Sequence, residues 1–335
     1  MHPEIPKATD LEQQVFTVTD QNSFEKAALA VFRYQYATNS LYQSYCNILG
    51  RQAETVQQNS QIPFLPISFF KTHNVTSGDN SINSIVFESS GTTGSQPSRH
   101  FVPHIHLYEK SFRQTFNQFY GPVQHYCILG LLPSYLERKH SSLVYMVNDL
   151  IQQSQHPQSG FYLNDIAKLA GTLAALERRG QKTILFGVTY SMLDFAQLYP
   201  MPLQHTTIIE TGGMKGRKKE LLRAEVHDLL KKAFNLESIH AEYGMTELLS
   251  QAYAVHDGQF EPPAWMRIII REEDDPFAVS EEGKTGCVNI IDLANLYSCA
   301  FIATDDVGRL YSDGSFEILG RIDNAEIRGC SLLSL

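Results

Sequence analysis

No apolar run in this 335-residue chain approaches the roughly 20 residues needed to cross a bilayer, which excludes a membrane-spanning helix. The opening stretch, Met1 to Asp20, is polar and lacks the apolar core of a secretory signal, so a cytoplasmic protein is expected. Basic residues are too few for a nucleic-acid surface. Lys and Arg number 27 against 36 Asp and Glu, a formal charge of -9, and the one dense basic patch is Lys215, Arg217, Lys218 and Lys219. The cysteines are five, Cys46, Cys127, Cys287, Cys299 and Cys330, none closely paired, and this odd count argues against a disulfide framework. Repeats and low-complexity stretches are absent.

What remains is an ordinary globular composition, 43% hydrophobic and 19% charged, long enough for one large or two medium domains. Ser23 is expected to cap a helix carrying Phe24, Ala27, Ala28, Val31 and Phe32, and Ser40 a second helix with Leu41, Tyr45 and Ile48. Pro63 and Pro66 then break the chain. Strand candidates at Tyr126 to Leu132, Thr183 to Val188, Thr206 to Glu210 and Ser238 to Glu242 alternate with helical stripes at Leu143 to Ile151, Ile166 to Leu176 and Leu221 to Leu230. The last stripe carries Leu222, Val226, Leu229, Leu230 and Phe234. This order predicts an α/β core with a largely parallel sheet, ligands sitting beyond the carboxyl ends of its strands. After Pro262-Pro263 the texture changes to short runs, Met266 to Ile270, Cys287 to Ile291, Tyr297 to Ala303, Gly308 to Tyr311 and Ser315 to Leu319. The expected division is a core at 1–260 and a β-rich subdomain at 261–335.

The run Ser89-Ser90-Gly91-Thr92-Thr93-Gly94, just after the apolar Ile85-Val86-Phe87, suits a polyphosphate. Glycines let backbone N–H groups approach an anion, and the hydroxyls add donors without bulk. It is not a P-loop, because Ser95 and Gln96 stand where that motif needs Lys followed by Ser or Thr, and the kinase His-Arg-Asp and Asp-Phe-Gly sites are missing. A second segment, Glu242-Tyr243-Gly244-Met245-Thr246-Glu247, also follows a strand and offers a carboxylate of the kind magnesium takes as a hard ligand. Gly212-Gly213, Thr304-Asp305-Asp306-Val307-Gly308 and Gly320-Arg321-Ile322-Asp323-Asn324 complete the series. His100, His104 and His106 suggest zinc, but no Cys or carboxylate in the sequence completes a set, and structural or polar-surface roles are expected. The aromatic stretch Phe112, Phe116, Phe119 and Tyr120 reads as core before it reads as a ligand slot.

From Ile67 to Leu333 these motifs, in this order, resemble the adenylate-forming superfamily, and within it the acyl-protein synthetases related to phenylacetate-CoA ligases. Pro66 to Lys71 and Leu132 to Glu137 also resemble that branch. The resemblance implies the large N-terminal domain of the adenylate-forming fold, ending after the hinge without the small mobile C-terminal domain. It implies ATP and Mg2+ as cofactors, with nucleotide contacts from Ser89 to Gly94, Gly212, Gly213, Tyr243, Gly244 and Asp306, phosphate contact by Thr246 and metal held by Glu247. The chain departs from the family at Ser95, where many members carry a cation, and at Asp305, where they carry glycine. Lys215, Arg321 or Arg328 stands in for the catalytic lysine of the missing domain. The branch moves the acyl group from acyl-AMP onto a cysteine near the C-terminus, here Cys330 beside Arg328, for delivery to a partner reductase or another acyl acceptor. A long-chain fatty acid is the implied substrate. Rival readings are an AMP-forming acyl-CoA ligase and a non-catalytic nucleotide- or acyl-binding relative.

Overall fold

The fold was analysed in a computed structural model that describes residues 5–78, 84–90, 96–133, 136–212, 221–256, 258–273, 275 and 277–322. Helices open it, α1 (Ala8–Gln14), α2 (Gln21–Thr38) and α3 (Ser40–Ile48). Their caps sit one to three residues earlier than the serines expected from sequence. Asp20 caps α2 by accepting from the Ser23 backbone N–H, and the Ser23 hydroxyl accepts from the Asp20 N–H in return, a capping box. Asn39, not Ser40, caps α3 through the Tyr42 N–H at 3.0 Å. The short β1 (Leu65–Pro66) and α4 (Phe69–Thr72) lead to an antiparallel hairpin of β2 (Ile85–Glu88) and β3 (Arg99–Val102).

The alternating region follows as α5 (Ile105–Tyr120), β4 (Cys127–Leu131), α6 (Ser142–Ser154), β5 (Gly160–Phe161), α7 (Ile166–Arg178), β6 (Thr183–Val188), α8 (Thr189–Leu198), β7 (Thr206–Thr211), α9 (Arg223–Phe234), β8 (His240–Tyr243) and β9 (Ala252–Ala254). Its strands form a sheet ordered β5-β4-β6-β7-β8-β9, parallel throughout except for the antiparallel edge strand β9. Because strand side chains alternate, Cys127, Leu129 and Leu131 pack with α7, α8 and α9 on one face, while Ile128 joins α5 and α6 on the other. A sheet covered on both faces explains the unbroken apolar texture of β4 and β6. On α9 the stripe narrows to Val226, Leu230 and Phe234, one face at four-residue spacing, and Leu222 and Leu229 are exposed. Phe112 and Phe116 are core, as expected, and so are the thiols of Cys127 and Cys299.

The remaining strands are β10 (Met266–Arg271), β11 (Thr285–Asp292), β12 (Phe301–Leu310) and β13 (Phe316–Arg321). They pair antiparallel, and β1 joins the same sheet parallel to β12 through Leu65↔Ile302. The two short runs expected at Tyr297 to Ala303 and Gly308 to Tyr311 are replaced by the single strand β12. Asp305 and Asp306 interrupt the apolar pattern without ending the strand, because partners described below meet the buried Asp306. A side chain at Gly308 would place its Cβ 2.4 Å from the Glu317 carbonyl, so only glycine lets β12 and β13 close at the register shift there. Among the described residues no helix is long and apolar enough to cross a membrane.

Candidate active site

The candidate residues gather where parallel strands end. Thr211 closes β7 and leads to the exposed Gly212, and Tyr243 closes β8 and leads to Gly244, the half-buried Thr246 and the buried Glu247. A Cβ at Gly244 would lie 2.4 Å from Glu242 Oε1, so a side chain in the turn out of β8 would displace the Glu242 carboxylate. From the antiparallel sheet, β12 brings Asp306 to the same end. The Tyr243 hydroxyl donates to Asp306 Oδ2 at 2.7 Å, and Arg321 Nε lies 3.0 Å from Asp306 Oδ1. Burial raises the Asp306 pKa, and Arg321 is the strongest influence lowering it. The Tyr243 ring meets Phe260 and Phe316, so one residue ties the two sheets together.

Glu247 is 4% exposed, and burial pushes its pKa up against a hydrogen bond from Ser98 and the positive charges of Arg321 and Lys71. Ser98 also closes the base of the glycine-rich segment. Ser89 N donates to the Ser98 carbonyl at 3.0 Å and Ser98 N donates to Ser89 Oγ at 2.9 Å. The hairpin thus starts its loop beside the Glu247 carboxylate.

A buried polar frame holds the backbone of this segment. His100 Nδ1 lies 2.8 Å from the Thr246 carbonyl and Nε2 3.0 Å from Asn295 Oδ1. Asn295 Nδ2 donates to the carbonyls of Glu247, at 2.8 Å, and Cys299, at 2.9 Å. Burial lowers the His100 pKa to about 4. Just beyond, the fully buried Asp292 accepts from Leu249 N, Ser250 N, Ser250 Oγ and Ala294 N at 2.6–3.2 Å.

The arrangement is a carboxylate-bearing turn, the base of a hairpin at Ser89 and Ser98, and a buried Asp converging at one end of a parallel sheet. Sequence comparison matches the acyl-protein synthetase (LuxE) family over residues 12–141 and 168–334. The chain belongs to that family. A long-chain-fatty-acid–luciferin-component ligase of Vibrio harveyi is 23% identical over 362 aligned positions, which cover 98% of this chain and 93% of that one. Among solved structures, an open conformation of 2-hydroxyisobutyryl-CoA ligase superposes with a TM-score of 0.66 at 12% identity, covering 98% of this chain and 82% of that one. ATP-bound MatB from Rhodopseudomonas palustris gives a TM-score of 0.53 at 17% identity over 70% of this chain, which spans 47% of MatB. These likenesses establish the adenylate-forming fold, and family membership makes this LuxE-type protein an AMP-forming ligase.

Of the residues expected from sequence, this LuxE-family chain brings Ser89, Tyr243, Thr246, Glu247, Asp306 and Arg321 to one region, with Ser90 next to Ser89, Gly244 inside the turn and Gly212 at the end of β7. Gly91, Thr92, Thr93, Gly94, Gly213, Lys215, Arg328 and Cys330 lie outside the described residues. Sequence reasoning missed Ser98, Asn295 and Asp292, and it did not place His100 against the Thr246 carbonyl. Asn295 and Asp292 are lone polar residues among apolar neighbours, Ser98 and His100 lie in an ordinary polar stretch, and the partners of all four become visible only when distant segments meet.

Glu242 lines the same end of β8. Its Oε2 accepts from Thr211 Oγ1 at 2.7 Å, and burial raises its pKa to about 7. A raised folded-state pKa means the native state holds the proton more tightly, so its contribution to stability is full below about 4.5 and is lost as pH rises to about 7. Glu242→Gln is therefore expected to flatten that decline and to raise unfolding free energy at pH 8 by about 1–3 kcal/mol. Urea unfolding of both proteins at pH 5 and pH 8 checks this; equal pH slopes would contradict it.

Proposed function

We propose that this protein activates a carboxylic acid, a long-chain fatty acid, with ATP and then transfers the acyl group to its own Cys330. The observation that carries the first half is the convergence of Glu247, Thr246, Asp306 and the hairpin loop base at the carboxyl edge of the sheet, in a chain of the acyl-protein synthetase family. The substrate oxygen bonds to the α-phosphorus, the bond to the bridging oxygen breaks, and pyrophosphate leaves with that electron pair. The product is a mixed anhydride whose AMP is a good leaving group.

The chain's own groups prepare this step. Asp306, already oriented by Tyr243 and Arg321, keeps lone pairs to accept from the ribose hydroxyls. The Thr246 hydroxyl, its backbone fixed by His100, and the loop of Ser89 to Gly94 donate to phosphate oxygens. Among the described residues Arg321 stands beside both carboxylates, which supports it as a group facing the developing negative charge. Mg2+ fits here: Glu247 is a hard oxygen donor whose buried charge a cation would stabilise, and Mg2+ when bound supplies neutralisation of the phosphates.

In the second step the Cys330 thiolate attacks the acyl carbon, a C–S bond forms and AMP departs. The other cysteines support this choice. Cys46, Cys127, Cys287 and Cys299 are buried, and burial pushes every one of those thiols up, Cys46 to about 12 and Cys127 to about 11, away from the reactive anion. The name of the Vibrio harveyi relative, a ligase of a long-chain fatty acid and a luciferin component, supports delivery of the acyl group to an acceptor beyond this chain.

Intact-protein mass after incubation with ATP, Mg2+ and a panel of fatty acids, on wild type and Cys330→Ala, tests both halves. The expected result is a hydroxylamine-labile acyl adduct on wild type alone, with pyrophosphate released by both proteins. Pyrophosphate release with no adduct on either would overturn self-acylation and favour CoA as the acceptor. No release with any acid would overturn activation itself.

A further inference from the structure

Two of the three histidines that lacked a carboxylate in the sequence, His104 and His106, acquire one in the fold, while His100 is engaged by Thr246 and Asn295. Glu12 of α1 reaches His104 and His106 at the start of α5, and the three offer one ligand atom each, all within 4.8 Å of one another. His106 Nε2 is 3.2 Å from Glu12 Oε2, while the Tyr297 hydroxyl donates to Glu12 Oε1 at 2.6 Å. The His104 ring stacks on Tyr297 with centroids 4.0 Å apart.

We propose that Glu12, His104 and His106 bind a divalent transition-metal ion such as zinc, with a remaining position open to water. Zinc bonds of about 2.0–2.1 Å put neighbouring tetrahedral ligand atoms about 3.3 Å apart. The Glu12–His106 pair already meets that spacing, and the 4.8 Å limit leaves at most about 1.5 Å for His104 to close. An ordinary ion pair would use one histidine and leave the carboxylate free to turn. Here Tyr297 fixes one oxygen while the other faces His106, and a His104 nitrogen lies within the same 4.8 Å group, the pattern of a ligand carboxylate oriented by an outer hydrogen bond. His106 has a 56% exposed side chain, so an ion can enter from solvent.

The site is separate from Glu247 but mechanically near it. Asn295, which holds the Glu247 carbonyl, and Tyr297, which holds Glu12, are two residues apart on one stretch. A metal ion would pin α1 to the segment that frames the active site. Its role is structural.

The test uses the full chain, stripped with EDTA, given excess Zn2+ or Co2+ and desalted, with metal counted by mass spectrometry, beside His106→Ala and Glu12→Gln. His106 is exposed, so its replacement keeps the fold, which circular dichroism verifies. One retained equivalent in wild type is expected, with a Co2+ visible spectrum free of thiolate charge transfer, affinity at least about tenfold weaker in both variants, and a metal-dependent rise in melting temperature in wild type only. No retained metal, equal retention in the variants, or a thiolate signature would each overturn the assignment.

Discussion

Glu247→Gln is expected to slow pyrophosphate release by about 10²–10³-fold while leaving the protein at least as resistant to urea as wild type. The two halves of this result come from one cause. Glu247 sits 4% exposed, and burial disfavours its charge more than Ser98, Arg321 and Lys71 favour it. An uncompensated buried carboxylate costs the native state stability, and an isosteric amide relieves that cost while losing the charge that would hold a cation. The direction with pH follows from the raised pKa. Wild type loses stability as pH rises above the ordinary carboxylate range, so its deficit relative to Gln widens toward alkaline pH. Pyrophosphate assays and urea titrations on the same preparations decide it. Activity and stability falling together would mean that Glu247 is a packing residue.

The opposite signature is expected of Asp292→Ala. No catalytic contact is assigned to Asp292, yet it accepts hydrogen bonds from four donors of Leu249, Ser250 and Ala294 in a fully buried setting. Truncation strands those donors together, and buried donors without partners cost about 1–3 kcal/mol each, partly recovered by local relaxation. A loss of about 3–5 kcal/mol is expected, which places Asp292 among the most sensitive positions of the chain. Urea denaturation measures it. A loss under about 1 kcal/mol would show that water replaces the carboxylate, and the frame around Glu247 would need another anchor.

How much of this was legible beforehand depends on whether a feature is local. The strand-then-glycine segments at Ser89 and Tyr243 carry their chemistry within six residues, and the alternating apolar runs of β4, β6 and β7 announce a buried parallel sheet. Asp306 was readable as a candidate site residue but not as part of a strand. Two adjacent carboxylates argue for a turn until Tyr243 and Arg321, 63 and 15 residues away, are seen to meet one of them. Asn295 and Asp292 gave no signal, because a single amide or carboxylate among apolar neighbours looks the same whether it is satisfied by solvent or by a fold. Glu12 is the extreme case. It lies 94 residues from His106, and only the packing of α1 beside α5 makes them neighbours.

The pairing of β1 with β12 has a consequence for the order of events during synthesis. Leu65 cannot reach its strand partner until Ile302 exists, and the Gln35 side chain waits for Asn295, Leu296 and Ala300. The parallel sheet of β4 to β8 needs nothing beyond about residue 243 and can form while the chain is still being extended. The first helices made are thus among the last parts to find their places. Until the ribosome has passed Ala303 these helices can pack on one another, but the part of their apolar surface that meets Phe301 and β12 lacks its partner and is exposed to aggregation.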